Sequence, residues 1–429
     1  MHLNFHRAVF LALVAACVAR TQVFSKIYSF PSHNGDPSAP LVQGFDGQLY
    51  GATAEGGYSD EGTVFKITTG GVLTPLNGAF SPSILVPASN GDIYGASASF
   101  QSYGVIFKLK PSGALTTFYT FGHDIGVSSL LQGTDGDLYG TVGNEIFKLT
   151  LAGVVTPVYT FGPTVYPGGL VEGMDGDFYG VKGGDGAADY GSVFKITRAG
   201  VLTTLHSFNF TDGAYPSGLV QASNGYLYGT TFEGGSSLSG CSGTAYKISP
   251  QGVFTSLYSF DGTQGCYPAA TLIQATNGNL YGSASYSTST EDGTLFELTL
   301  TGVLTTIVSF DGVNGGDPYY ALFQATDGNL YGTTPHGGEG GFAFSVALGL
   351  NPFVTTVPVG AGTGKLVQIL GTNLTGATAV TFNGVPARFS VVSSSQITAG
   401  VPAGATTGKI QVTTPNGTLL SNVPFRVVN

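Results

Sequence analysis

The 429-residue chain has no tryptophan, two methionines and three cysteines, and only 9% of its residues are charged. Its 15 Lys and Arg are scattered and its net charge is −10. Nucleic acid and anionic membrane surfaces are therefore excluded as partners, since both require basic clusters that displace counterions. The longest apolar run, Ala8–Ala19, has 12 residues, whereas a membrane span needs about 20, so no transmembrane helix is expected. Helical periodicity over ten or more residues is missing beyond the extreme N-terminus, which leaves an all-β reading. No Gly-x-Ser-x-Gly elbow, phosphate loop, His-Glu-x-x-His or Cys-x-x-Cys occurs, so neither catalytic residues nor a cofactor or metal are assigned. Without tryptophan, any surface that stacks on sugars falls to the 22 tyrosines.

What is abundant is a repeat. Asp or Asn, Gly, any residue, an apolar residue and Tyr-Gly recur seven times, with tyrosines at 50, 94, 139, 179, 228, 281 and 331. Their separations of 44, 45, 40, 49, 53 and 50 residues imply one supersecondary unit copied in an array. Asx-Gly between apolar runs predicts a type I′ hairpin turn, with both residues at positive φ. A short apolar piece such as Leu41-Val42-Gln43 precedes each turn, and the Tyr-Gly strand follows it. A Gly-rich loop then leads to an alternating strand such as Ser192-Val193-Phe194-Lys195-Ile196, and a further Gly turn to a fourth strand ending near Ser207-Phe208. Four antiparallel strands per unit describe a propeller blade.

The seventh repeat stops after Phe342–Val346, without its fourth strand, while a matching piece, Ser25–Phe30, lies at the N-terminus. The two balance if that piece completes the last blade and closes a seven-bladed ring, which removes exposed sheet edges. The expected organisation is a leader over 1–19, the propeller over 20–350 and a different unit over 351–429. The last shows short strands at 8–12-residue spacing with Asn-Gly and Pro turns, the pattern of an immunoglobulin-like sandwich.

These phrases resemble known families. The repeat is similar to the GloVer tandem repeat over about residues 25–346, on the strength of the turn, the Tyr-Gly pair, the Phe-Lys strand and the Ser-Phe ending. The resemblance implies export and a repetitive β fold, and brings no catalytic residues. Val367–Leu374, Ala379–Ala387 and Gly408–Gly417 resemble an IPT/TIG domain.

Residues 1–19 fit an export signal, with His2, His6 and Arg7 ahead of the apolar run and cleavage after Ala19. Val14-Ala15-Ala16-Cys17 offers the alternative of lipidation at Cys17. The mature chain then holds Cys241 and Cys266, which sit in loops of one propeller face and are expected to form a disulfide in an oxidising compartment. Variable residues in the Gly-rich loops, Glu55, Tyr58, Asp185, Tyr190, Glu233 and His336, are the candidate binding surface, because rigid scaffolds present ligands with loop side chains. The expectation is a secreted or cell-surface, monomeric, non-catalytic binding or scaffold protein with an extracellular glycan or protein ligand. The sandwich would serve as spacer or adhesion module. A polysaccharide-active hydrolase or lyase is the alternative.

Overall fold

The computed structural model describes residues 22–31, 36–54, 62–76, 82–97, 103–123, 125–183, 190–236, 241–337 and 340–428. Seven four-stranded antiparallel sheets follow one another. Blades 1 to 6 span residues 42–76, 82–123, 127–160, 166–207, 214–259 and 273–309, and blade 7 combines 323–347 with the N-terminal strand Val23–Ser29. That strand pairs with Phe342–Ala347, with Ser25 opposite Ser345 and Ser29 opposite Phe342. The ring closes as the repeat count predicts. Seven apolar clusters each span two neighbouring blades, one of them joining Ala325, Tyr331 and Ala343 of blade 7 to Leu41, Leu49 and Phe65 of blade 1.

Each letter of the repeat has a physical reason. The turn glycines at 47, 91, 136, 176, 225, 278 and 328 have φ between 80° and 94°, whereas their Asx partners do not take positive φ. The turn is thus not type I′ but a longer one closed by bonds such as Gly47 N–H to Gly44 C=O and Gly44 N–H to Gln48 C=O. The reason lies in the Asx side chain. It accepts the backbone N–H two residues on, as Asp46 does from Gln48, and it also binds the repeat tyrosine. All seven tyrosine hydroxyls bond the Asx four residues earlier, at 2.6–3.0 Å. The rings are buried between blades as expected, so the hydroxyl is satisfied where an orphan would cost about 1–3 kcal/mol.

The glycine after each tyrosine is required by close approach. A Cβ built on Gly180 would lie 2.5 Å from the Phe194 ring, and on Gly95 2.0 Å from Phe107. These third-strand aromatics are in turn covered by the Phe that ends the previous blade. Phe30 meets Phe65 at 5.3 Å, Phe121 Phe147 at 4.9 Å and Phe161 Phe194 at 5.5 Å. Phe80, the degenerate ending of blade 1, lies outside the described residues.

A third belt uses glutamine. The side-chain oxygens of Gln43, Gln132, Gln221, Gln274 and Gln324 each accept a backbone N–H from the turn of the preceding blade, at 2.7–3.0 Å. At the equivalent place blade 2 has Pro87 and blade 4 has Glu172. Glu172 keeps the ladder bond to Thr134 N–H at 2.8 Å. Its carboxylate, only 5% exposed, also meets Arg198 at 2.6 Å and Arg426 at 2.5 Å.

Arg426 belongs to the C-terminal sandwich, whose sheets pair Thr355–Val357, Leu366–Leu370, Gln396–Gly400 and Phe389–Val391 on one side and Val385–Pro386, Ala379–Phe382, Ile410–Thr414 and Gly417–Leu420 on the other. Val367, Ile369, Val380, Phe382 and Val412 form its core. The sandwich sits on the face made by the Asx-Gly turns. Besides the Glu172 clamp, Ser395 Oγ donates to Phe45 C=O (2.8 Å), the Thr326 and Thr372 hydroxyls meet at 2.8 Å, and Phe353 N–H bonds Thr326 C=O (3.0 Å). These contacts seat the sandwich on the turn face.

Glu172→Gln restores the residue that five other repeats carry, and so keeps the ladder while removing the charge that holds Arg426. Breaking a buried pair this way costs about 3–5 kcal/mol. Scattering and calorimetry should show an enlarged radius of gyration and separate melting of ring and sandwich. An unchanged radius with one melting transition would contradict the clamp.

Candidate functional site

Antiparallel blades have two ends. The turns within hairpins gather on the face that the sandwich covers, and the loops joining second to third strands, with those joining blades, gather on the other. That second face is the open rim. Of the sequence-expected residues, Glu55, Tyr58 and Asp185, like Cys17, lie outside the described residues, while Tyr190, Glu233 and His336 are on the rim. Tyr190 packs its ring 5.3 Å from Phe210, and its carbonyl accepts Tyr215 N–H at 2.9 Å. Glu233 ends the second strand of blade 5 opposite Ala214, the neighbour of Tyr215. The fold therefore brings Tyr190 and Glu233 to one boundary, between blades 4 and 5. His336 is apart from them in blade 7, where its Nδ1 lies 2.6 Å from Asp317 Oδ2.

Four exposed tyrosines on the rim escaped the sequence reading: Tyr103, Tyr166, Tyr215 and Tyr319. For Tyr166 and Tyr215 the signal was present as Tyr-Pro, which recurs at Tyr267-Pro268 in the next repeat. Cys241 and Cys266 are bonded, with Cα atoms 5.5 Å apart. The bridge joins the second-to-third-strand loop of blade 5 to the loop entering blade 6, beside Tyr267. Closing that span contributes roughly 3–4 kcal/mol in the chain-entropy account.

The turn face handles charge differently. Lys148 binds Asp135 and Asp137 at 3.1 and 2.7 Å, and Lys195 binds Asp175 and Asp177 at 2.8 and 2.9 Å. Burial alone would raise the Asp135 carboxyl, but the Tyr139 hydroxyl, Lys148 and Arg198 outweigh it and hold it below its ordinary value. Burial and the Asp175 bond push Tyr179 up to about 12, so it remains a donor. These aspartates are consumed by the turns. Among the described residues, no three His, Cys, Asp or Glu are grouped to hold a metal, and no helix is long and apolar enough to cross a membrane.

His206 ends the fourth strand of blade 4 and stacks on Phe254 at 3.8 Å, with Nε2 3.0 Å from Asp212. Burial lowers its pKa despite that carboxylate. The unfolded chain thus takes up the proton first, and the associated stability is present above the ordinary value of about 6.5 and lost as pH falls below it. His206→Phe, which retains the stack, should lose less melting temperature than the parent between pH 7.5 and 5.5; equal losses would reject this assignment.

Residues 69–218 and 166–384 match the Gloeobacter/Verrucomicrobia repeat, and residues 352–427 match the IPT/TIG domain. No curated protein matches the chain. Among solved structures, the virginiamycin B lyase from Staphylococcus aureus is 14% identical with a TM-score of 0.57, covering 76% of this chain and 99% of that one. An oligogalacturonate lyase in complex with manganese is 12% identical, TM-score 0.53, covering 76% and 92%. The WD40 β-propeller domain of Doa1 is 11% identical, TM-score 0.53, covering 75% and 96%. Likeness at such identity concerns the fold alone, and that fold is the β-propeller. The family is shown by the repeat, which covers most of the chain: this protein belongs to the Gloeobacter/Verrucomicrobia repeat family and carries a C-terminal IPT/TIG domain.

Proposed function

We propose that the chain is an exported, non-catalytic binding or scaffold protein whose extracellular ligand, a glycan or a protein, rests on the open rim. One observation carries this reading: the sandwich occupies the turn face through Glu172 and Arg426, which leaves the rim as the ring surface with chemically varied loops. Tyr166, at 60% exposure, and Tyr215, at 46%, give that rim large amphipathic groups of the kind enriched in binding surfaces. The Cys241–Cys266 bond supports an oxidising, extracytoplasmic address, with residues 1–19 proposed as the leader.

A second reading, a polysaccharide hydrolase or lyase, is favoured by the His336–Asp317 pair. The carboxylate on Nδ1 orients the ring of a side chain that is 63% exposed, an arrangement suited to proton transfer. Two of the similar structures are lyases. Incubating the secreted protein with a polysaccharide panel separates the two. The binding reading expects no new reducing or unsaturated ends. Release of such ends that disappears in His336→Ala would establish the enzyme instead.

A further inference from the structure

The loops entering blades 4, 5 and 6 each deliver a tyrosine and then a proline: Tyr166-Pro167, Tyr215-Pro216 and Tyr267-Pro268. Tyr215 and Tyr267 have φ of 56° and 55°, values that L-residues before proline seldom take and that cost about 1–3 kcal/mol each. The neighbouring blade holds them there. Tyr215 N–H bonds Tyr190 C=O and Tyr267 N–H bonds Ser242 C=O, both at 2.9 Å. Pro216 and Pro268 lie against Gly191 and Gly243, where an added Cβ would come 2.8 and 2.6 Å from the proline Cδ. Glycine would satisfy this backbone at lower cost, so what a tyrosine adds at 215 and 267 is its side chain.

These side chains have aromatic company. Phe210, 42% exposed, packs on Tyr190, and Phe232 packs on Tyr267 at 5.2 Å. The disulfide beside Tyr267 fixes the far end of the arc. Glu233 and Asp212 are the acids next to it. The one lysine of blade 4 on this side, Lys182, is buried against Phe161. By contrast Lys148, Lys195 and Arg198 are engaged on the opposite face.

We propose that this arc, from Tyr166 through Tyr215 to Tyr267, is a subsite for an uncharged polysaccharide. The proposal deepens the binding reading above and rests on it. Rigid tyrosines offer flat apolar faces tipped with hydroxyls, and lose little conformational entropy on binding. A pyranose chain is the complementary surface, with C–H faces to stack and hydroxyls to bond. Acids without an available cation disfavour an anionic chain, so neutral glycans are the class that fits.

The test is affinity electrophoresis of the intact chain in gels containing xyloglucan, mixed-linkage β-glucan or galactomannan, with polygalacturonate as the anionic comparison. At least one neutral polymer should retard the protein and polygalacturonate should not. The double variant Tyr166→Ala/Tyr215→Ala should weaken retardation about tenfold or more, equivalent to roughly 1.4 kcal/mol. Tyr215→Phe should restore most of the stacking. Tyr226→Ala, an exposed tyrosine on the turn face, should change nothing, and far-ultraviolet dichroism checks that each variant is folded. Retardation that survives the double substitution overturns the arc as the subsite. No retardation by any neutral polymer overturns the ligand class, and a protein ligand lost with the same double variant would keep the binding reading while doing so. Retardation accompanied by chain cleavage keeps the subsite but overturns the non-catalytic reading.

Discussion

Antiparallel pairing of Val23–Ser29 with Phe342–Ala347 is the contact on which the ring depends. A blade buries its two faces only against neighbours, so an array with two free ends would expose two apolar faces and an unpaired edge. Joining the ends removes both liabilities. It brings the Gln43 oxygen to Thr326 N–H and Phe30 onto Phe65, so that the last-to-first boundary repeats the bonds of the internal ones. Loops of all blades then emerge in a fixed circle, which is what gives the rim a defined geometry.

The boundaries also show how one substitution turns a repeated structural bond into a specific one. Glutamine in the inner-strand position accepts a neighbour's backbone N–H and donates its amide to the glycine carbonyl of its own turn, and needs no charged partner. Glutamate at 172 accepts the same N–H but adds a charge under the ring, and a buried charge must be paired. Arg198 from the same blade and Arg426 from the sandwich supply the pairing. A single departure from the repeat thus adds a charged clamp to the Ser395, Thr372 and Phe353 contacts that seat the sandwich on the turn face. A cavity of about 230 Å³ beside the clamp, walled by Val171, Val220, Val359 and Pro424, exists only while ring and sandwich are docked.

Much of the ring was legible because repetition multiplies weak signals. One Asx-Gly is a turn hint, but seven at nearly constant spacing specify an array, and the missing fourth strand of the last copy located the closing strand. The turn type was misread because propensity treats Asx as a residue that tolerates positive φ. Here its side chain is held by Tyr139 or Tyr179 and by the backbone amide two residues on, which favours an ordinary conformation. Glu172 and Arg426 were unreadable as partners, since 254 residues separate them and neither belongs to a motif. On the rim, Tyr190 and Glu233 follow from their place in the Gly-rich loops, whereas Tyr166 and Tyr215 lie in the loops that enter blades, which carry no such glycine signal.

A one-sided ring, with one face spoken for and the other studded with fixed tyrosines, follows from these contacts without appeal to any catalytic apparatus. All of it presupposes closure. Hydrogen–deuterium exchange of the native protein tests that most directly: peptides covering residues 23–30 should be protected as strongly as the equivalent outer strands 155–160 and 202–207 of other blades. Rapid exchange of 23–30 while those outer strands stay protected would contradict the closed ring.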